Sequence, residues 1–338
     1  MCVRALQSLI AERTGRRYVR LVGRGTTALY VALRTIAIVH GPGSVILPDL
    51  ICSAVLDAVL LAGFRPCFAD VDPERFHMRG DSVQAVRRAD TKAVLMAHPF
   101  GLIAPRPDVG LLVIEDAVQG IGGAAGNNGA LSVVGFHPSK LIPGVGGAVL
   151  TDDPDLARAM HAVSLAENSP PYVGGRYAHY LPQLAARRPV LIRPFEATPE
   201  NCAAIQDGWN RLAHEVCARN ARSERVRAAL AQRPDLGLHL PPIRAGDAVW
   251  RYPITAPTRA VATTLQRRLQ FAGLPGSRPY PALSAIFDPQ PAFRSPDLAA
   301  RMMNIWVDSS VGEATFAALI GVLCAPLTRG GGAAAGQH

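Results

Sequence analysis

A lysine and an aspartate each follow an apolar stretch of this sequence. Asp116 comes shortly after the run Leu111–Ile114, which predicts a short buried strand, and Lys140 follows the apolar pair Val133-Val134. If both strands belong to one parallel sheet, the carboxylate and the amine emerge at the same edge. A pyridoxal phosphate site requires this pair, because the lysine forms a Schiff base and the carboxylate keeps the pyridine nitrogen protonated.

The start of a predicted helix supplies a second part of this candidate site. Gly25, Thr26 and Thr27 follow a short apolar strand and open the helix. Free backbone N–H groups and hydroxyls at a helix start are the usual place for a phosphate group. The simpler interpretation is a threonine that caps the helix, and Asp116 has the same alternative, since aspartate is also a favoured N-cap.

Strands and helices alternate along the first half of the chain, which predicts an α/β fold. The apolar strands are too short and too continuous to be amphipathic, as expected of a mostly parallel central sheet with helices on both faces. Ligands in such sheets bind at the carboxyl ends of the strands. Gly25, His98, Asp116 and Lys140 are all expected there.

The rest of the sequence divides into segments of different character. Prolines and glycines interrupt residues 168–199, an irregular excursion suited to covering the site or reaching a partner subunit. A long helix is predicted from about Glu200 to Gln232. We therefore predict a large domain over 1–199, a connecting helix and linker over 200–246, a small C-terminal α+β domain over 247–328 and a disordered tail over 329–338.

Short motifs stand in a fixed order along the chain. They are Arg24–Leu29, Val45–Pro48, Ala62–Pro66, Phe68–Pro73, His98–Gly101, Ile114–Gln119 and Gly135–Lys140, followed more loosely by Arg251–Ile254 and Tyr280–Leu283. Together they resemble the DegT/DnrJ/StrS family of PLP-dependent sugar aminotransferases. The resemblance implies the fold of the aspartate aminotransferase type I enzymes, pyridoxal 5'-phosphate as cofactor, and a homodimer with active sites near the subunit interface.

The same resemblance assigns roles to individual residues. Lys140 and Asp116 are implied to be catalytic, and Gln119 to contact the phenolic oxygen of the cofactor, with a helix-surface glutamine as the alternative. A buried structural role for His98 is as compatible with the sequence as a substrate contact. The implied cofactor-binding residues are Gly25, Thr26, Thr27, Cys52, Asp116, Gln119 and Lys140, and the implied substrate contacts are His98 and His137.

The chain departs from the family pattern at positions that matter for the cofactor. The family has a phosphate-binding serine five residues before the lysine, an aromatic ring stacked on the pyridine, and an asparagine and an arginine from the partner subunit. The residues at these positions here are Gly135, Cys52 (or its neighbour Leu50), Phe195 and Ala197.

The resemblance implies an aminotransferase that moves an amino group, with glutamate as the expected donor, to a keto sugar, a nucleotide sugar or a related cyclitol. Family members with histidine in place of Lys140 are dehydratases, so the lysine favours amino transfer. A dehydratase remains a minor alternative. The departures favour a different alternative, a catalytically degenerate member that acts as a PLP-binding or ligand-binding protein.

Composition limits the possible partners. The net charge is +9, from 35 Lys and Arg against 26 Asp and Glu, but no nucleic-acid-binding motif accompanies it. A field that attracts a phosphorylated substrate is one explanation, and a GC-rich genome that favours arginine is a better one, so the charge decides little. No apolar run is long enough to cross a bilayer, and the N-terminus lacks a signal-peptide pattern. The six cysteines have no metal-like spacing, so we expect reduced thiols in a cytoplasmic protein without a nucleic-acid or membrane partner.

Overall fold

The computed structural model describes residues 2–166 and 170–327, and a seven-stranded sheet lies at its centre. The strand order is β1-β7-β6-β5-β4-β2-β3. Only β7 is reversed, because β1 and β6 both pair with it antiparallel and the other pairs are parallel. The strands are β1 (Tyr18–Val22), β2 (Ser44–Pro48), β3 (Arg65–Ala69), β4 (Thr91–Ala97), β5 (Leu112–Asp116), β6 (Leu131–Phe136) and β7 (Gly146–Thr151).

Helices cover both faces of this sheet, as the continuous apolar strands predict. One face packs α1 and the long helix α7, whose Ile205 and Trp209 are buried against it. The other face packs α2, α3, α5 and α6. The helices up to this point are α1 (Cys2–Thr14), α2 (Gly25–His40), α3 (Ser53–Leu61), α4 (Gly80–Val86), α5 (Pro154–Ala162), α6 (Leu181–Leu191) and α7 (Pro199–Ala231).

Helix α6 lies within the range for which the sequence predicted irregular structure. Pro182 is in the first turn, where proline is tolerated, and Pro189 lies inside the helix, which ends two residues later at Leu191. Leu184 and Leu191 are buried in the core of the sheet. One side of α6 therefore packs onto its own chain.

A second, smaller sheet follows α7 and has its own core. Strand β10 lies between β8 and β9 and pairs antiparallel with both. Its core also includes Phe76 and Phe100 from the first half of the chain, which ties the two parts together. The elements are β8 (Tyr252–Thr255), α8 (Arg259–Phe271), β9 (Gly276–Ser277), α9 (Leu283–Phe287), α10 (Ser295–Arg301), β10 (Met302–Ile305) and α11 (Glu313–Cys324). The tail predicted to be disordered lies outside the described residues.

The expectation that all six cysteines are reduced is wrong for two of them. Cys2 at the start of α1 and Cys202 in the first turn of α7 form a disulfide. The sequence conceals the pair, because the two residues are 200 positions apart and only the packing of α1 on α7 brings them together. Within the residues that the structure describes, no helix combines the length and the apolar character that crossing a membrane needs.

Candidate active site

A cavity of about 460 Å³ lies at the edge of the sheet where the parallel strands end. Eight of the nine predicted site residues line it, as expected for residues that follow the carboxyl ends of neighbouring strands. These eight are Gly25, Thr26, Cys52, His98, Asp116, Gln119, His137 and Lys140. Thr27 is the one that does not.

Lys140 and Asp116 are delivered by adjacent parallel strands. Asp116 is the last residue of β5 and pairs with Val133 of β6, and Lys140 lies in the turn that follows β6. Burial lowers the pKa of Lys140 to about 8, although the nearby carboxylate of Asp116 opposes this shift. Burial also raises the pKa of Asp116, against the effects of the N–H of Val118 and of Lys140. The two groups therefore influence each other's charge inside one cavity.

Asp116 also has the local contact of a capping residue. Its Oδ1 accepts a hydrogen bond from the N–H of Val118 at 3.1 Å, and residues 118–124 form a series of turns. The capping and site interpretations are thus compatible in geometry, since the side chain both closes the turn and lines the cavity.

Gln119 spans two elements at the wall of the cavity. Its Oε1 accepts a hydrogen bond from the N–H of Phe100 at 2.8 Å, and its Nε2 lies 3.2 Å from the hydroxyl of Tyr280. Phe100 has a φ of 59°, an uncommon conformation for a residue with a side chain. Gln119 therefore links the strained turn at Phe100 to Tyr280. These contacts do not fit the alternative of a glutamine on a helix surface.

His98 is fully buried, and both of its ring nitrogens are occupied. Nδ1 accepts a hydrogen bond from the N–H of Ala104 at 3.0 Å, so Nε2 carries the proton and donates to Glu115 at 2.9 Å. Burial raises the pKa of Glu115, but donors from His98, Gly126, Asn128 and Ser132 outweigh it and hold that pKa at about 2. This geometry favours the structural interpretation of His98.

His137 differs from His98 in that it is exposed. Its Nδ1 accepts a hydrogen bond from the N–H of Ser139 at 3.1 Å. The same Nδ1 lies 2.9 Å from the Ser139 hydroxyl. Partial burial, and then the charges of Lys140 and Arg24, lower its pKa. His137 also lines the cavity.

The floor of the cavity beneath the start of α2 is bare backbone. A methyl group on Gly135 would lie 3.1 Å from Val118 Cγ2 and 3.6 Å from the Cα of Gly25. A methyl group on Gly146 would lie 3.0 Å from the ring of Phe195. We call these three glycines, Gly25, Gly135 and Gly146, the glycine floor. Its lack of side chains lets a ligand approach the first N–H groups of α2, which have no partner within the helix.

Thr27 supports this floor from outside the cavity. Its hydroxyl donates to the carbonyl of Leu191 at 2.7 Å and accepts from the N–H of Arg193 at 3.1 Å. The N–H of Gly23 donates to the carbonyl of Arg193 at 2.8 Å. The segment after α6 is thereby fastened to the start of α2, and Arg193 and Arg24 both line the cavity.

The positions that depart from the family pattern are also located by the structure. Cys52 lines the cavity at the start of α3, and burial raises the pKa of its thiol. Phe195 packs on Gly146 of its own chain, and Ala197 is exposed just before α7. Arg193, two residues before Phe195 along the chain, lies in the cavity wall.

Sequence reasoning did not assign Arg193, Tyr280 or Trp250 to the site. The sequence indicates Arg193 only as one of three clustered arginines, with Arg187 and Arg188, that could hold a phosphate, and Tyr280 only as part of the loose motif Tyr280–Leu283. Trp250 precedes the motif Arg251–Ile254, and nothing in its spacing indicates that its ring lies 3.7 Å from the Nζ of Lys140.

Comparison with known proteins identifies the family. The model of the DegT/DnrJ/EryC1/StrS aminotransferase family matches residues 2–304. The chain belongs to this family. The resemblance seen in the sequence motifs is thus confirmed across most of the chain.

Two curated family members illustrate the similarity in sequence. A UDP-N-acetyl-3-dehydro-alpha-D-glucosamine 3-aminotransferase of Acidithiobacillus ferrooxidans is 35% identical over 175 residues, 47% of each chain. A GDP-perosamine synthase of Caulobacter vibrioides is 32% identical over 168 residues, 46% of this chain and 45% of the relative. The matched part spans about half the length of these curated relatives.

Solved structures of the family confirm the predicted fold class. A DegT/DnrJ/EryC1/StrS aminotransferase from Brucella abortus is 25% identical, with a TM-score of 0.75 over 95% of this chain and 89% of that one. The structure of NtdA from Bacillus subtilis with bound cofactor PMP is 20% identical, with a TM-score of 0.76 over 95% of this chain and 77% of that one.

Proposed function

We propose that this family member is a PLP-dependent aminotransferase that passes an amino group from an amino acid, with glutamate as the expected donor, to a keto sugar, a nucleotide sugar or a related cyclitol. The observation that carries the proposal is the pairing of Lys140 and Asp116 at the ends of adjacent strands in one cavity. The names of the curated relatives, which describe amino transfer to sugars, support the substrate class.

The residues of the cavity fit the proposed cofactor. A lysine amine with a pKa of about 8 is partly neutral near pH 7, as reaction with an aldehyde requires. The glycine floor and the start of α2 suit a phosphate group, and Arg24 and Arg193, the latter paired with Glu196 at 3.5 Å, are cationic residues that line the same cavity. Pyridoxal phosphate would supply the electron sink that stabilises negative charge on the substrate carbon.

Each remaining role follows from the position of a side chain. Asp116 would keep the pyridine nitrogen protonated, and its buried carboxylate gains from that positive partner. Lys140 would move the proton at the reacting carbon once its amine is free. Gln119 presents its amide at the cavity wall beside Tyr280, and exposed His137 is the better placed of the two histidines to contact a substrate.

A homodimer is part of the proposal, and its support is family membership. Sedimentation of the purified protein at two concentrations tests it, with the mass of two chains as the expected result. The cytoplasmic location stays a prediction from the sequence.

The decisive experiment is the visible absorbance spectrum of the protein with pyridoxal phosphate, before and after glutamate is added. We expect a band of lysine-bound cofactor that glutamate converts to the spectrum of pyridoxamine phosphate. A band that no amino acid donor changes would favour the binding-protein alternative. The departures from the family pattern at Gly135 and Phe195 favour the same alternative. A protein that gives no band would refute the proposed site.

A further inference from the structure

The amine of Lys140 lies against an aromatic ring from the other part of the chain. Its Nζ is 3.7 Å from the centre of the Trp250 ring, a distance typical of a strong cation–π contact. Trp250 is 5% exposed and lies two residues before the start of the second sheet at residue 252. No role proposed above for the cofactor or the substrate uses this residue.

Trp250 is fixed in place by three hydrogen bonds. Its indole Nε1–H donates to the carbonyl of Ser139 at 2.6 Å, so the ring is tied to the residue next to Lys140. Its backbone N–H donates to the carbonyl of Phe100 at 2.8 Å, and its carbonyl accepts from Arg219 at 2.7 Å. A ring held at both its polar atom and its backbone presents its face to the lysine without further ordering.

The approach of the tryptophan backbone to the turn at residues 98–101 depends on a glycine. The N–H of Ala248 donates to the carbonyl of Gly101 at 3.0 Å. Gly101 has a φ of 87°, and a methyl group there would overlap the carbonyl oxygen of Ala248. The segment that carries Trp250 therefore lies directly on the turn that also bears His98 and Phe100.

The charged and titratable groups around the amine act in different directions. Asp116 and Cys52 favour its protonated form, and Arg251 and burial disfavour it. The charge of Lys140 in turn contributes to lowering the pKa of His137, after burial. Arg251 itself lies 4.4 Å from the Trp250 ring and 4.2 Å from the ring of Trp306. An electron-rich ring face favours the charged amine over the neutral one. Trp250 therefore raises the pKa of Lys140, as Asp116 does.

We propose that Trp250 is a positioning residue for Lys140, and that its ring face holds the protonated amine whenever the lysine is not joined to the cofactor. The inference rests on the proposed function, because a lysine that is released in each catalytic cycle needs a defined place from which it returns. A lysine side chain has four rotatable bonds, and a contact of this kind restricts them before the lysine reacts again.

The test measures the titration of Lys140 directly in protein without cofactor. The sequence contains two lysines, Lys92 and Lys140, so reductive ¹³C-methylation gives few resonances, and Lys140→Ala assigns its own. We expect Trp250→Leu to lower the pKa of Lys140 by about half a unit to one unit, because the ring contact is lost and burial remains. Trp250→Phe should restore most of the shift, and the Lys92 resonance should titrate alike in all three proteins.

A displaced Arg251 would also lower the pKa of Lys140 in Trp250→Leu. The comparison is therefore repeated in an Arg251→Met background, where the ring contact alone predicts the same shift. If Lys140 titrates alike in Arg251→Met and in the double variant Arg251→Met, Trp250→Leu, the proposal is wrong, whatever the effect of the substitution on stability.

Fluorinated tryptophan provides a second measurement that preserves the shape of the ring. Fluorine withdraws electrons from the ring face, so biosynthetic replacement of the three tryptophans should lower the pKa of Lys140 in wild type and leave it unchanged in Trp250→Phe. This result is decisive even if Trp250→Leu does not fold. Equal titration with and without fluorine would overturn the inference, while the absorbance experiment on the cofactor would still judge the proposed function separately.

Discussion

The Nε2 of His98 and the Oε1 of Glu115 lie 2.9 Å apart, and both side chains are fully buried beside the aspartate that ends β5. Glu115 also accepts hydrogen bonds from Gly126, Asn128 and Ser132. A buried carboxylate with this many donors is stable only as an ion. The network fixes the end of β5, and with it the direction of Asp116.

The free energy of unfolding should depend on pH in a way that reveals the contribution of the Glu115 carboxylate. The pKa of Glu115 is about 2 in the folded protein and near its usual value in the unfolded chain, so its carboxylate stabilises the fold above about pH 4.5. That contribution is lost as the pH falls towards 2 and amounts to about 3 kcal/mol. In urea unfolding at several pH values, wild type should lose about that much more stability over this window than Glu115→Gln. Parallel pH profiles for the two proteins would contradict the assignment.

Arg193 should contribute to binding of the cofactor phosphate. One charge-assisted hydrogen bond is worth about 1.5–3 kcal/mol, so Arg193→Met should weaken binding of pyridoxal phosphate by about tenfold or more. Pyridoxal, which has no phosphate, should bind both proteins alike. Arg211→Met removes the same charge from an exposed position on α7 and serves as the control. Equal losses for both ligands, or an equal effect of the control, would show that Arg193 does not contact the phosphate.

The disulfide between Cys2 and Cys202 should stabilise the fold by fastening α1 to α7. A disulfide typically contributes about 2–4 kcal/mol by restricting the unfolded chain. We expect a reducing agent to lower the free energy of unfolding of wild type by this amount and to leave Cys202→Ser unaffected. Cys217→Ser, which changes an exposed free cysteine, should respond to reduction as wild type does. No effect of reduction on wild type would mean that the bond contributes nothing.

The mostly parallel sheet and the position of its ligand edge could be predicted from the sequence because they depend on local patterns, whereas the order of the strands could not. The apolar run before Asp116 and the glycines and threonines after β1 each mark the end of a strand, and parallel pairing brings such ends together. Local patterns also misled in one place. Two of the prolines that suggested irregular structure, Pro182 and Pro189, lie within α6, the first of them in the first turn, where a helix tolerates proline.

Contacts between distant parts of the chain could not be predicted in this way. The pairing of Cys2 with Cys202 and the packing of Trp250 on Lys140 depend on how α7 and the second sheet lie against the first. Thr27 shows the same limit at a shorter range. The sequence places it correctly at a helix start, but its hydroxyl binds the backbone of residues 191 and 193 and does not line the cavity.

The central claim, that Lys140 carries the cofactor, is tested most directly by borohydride reduction of the protein with pyridoxal phosphate and peptide mapping by mass spectrometry. The sequence offers one other lysine, Lys92, which lies near the beginning of β4, at the opposite end of that strand from His98. We predict the reduced cofactor on Lys140, its loss together with the visible band in a folded Lys140→Ala variant, and its retention in Lys92→Arg. A label on Lys92, or an unchanged visible spectrum in Lys140→Ala, would contradict the account.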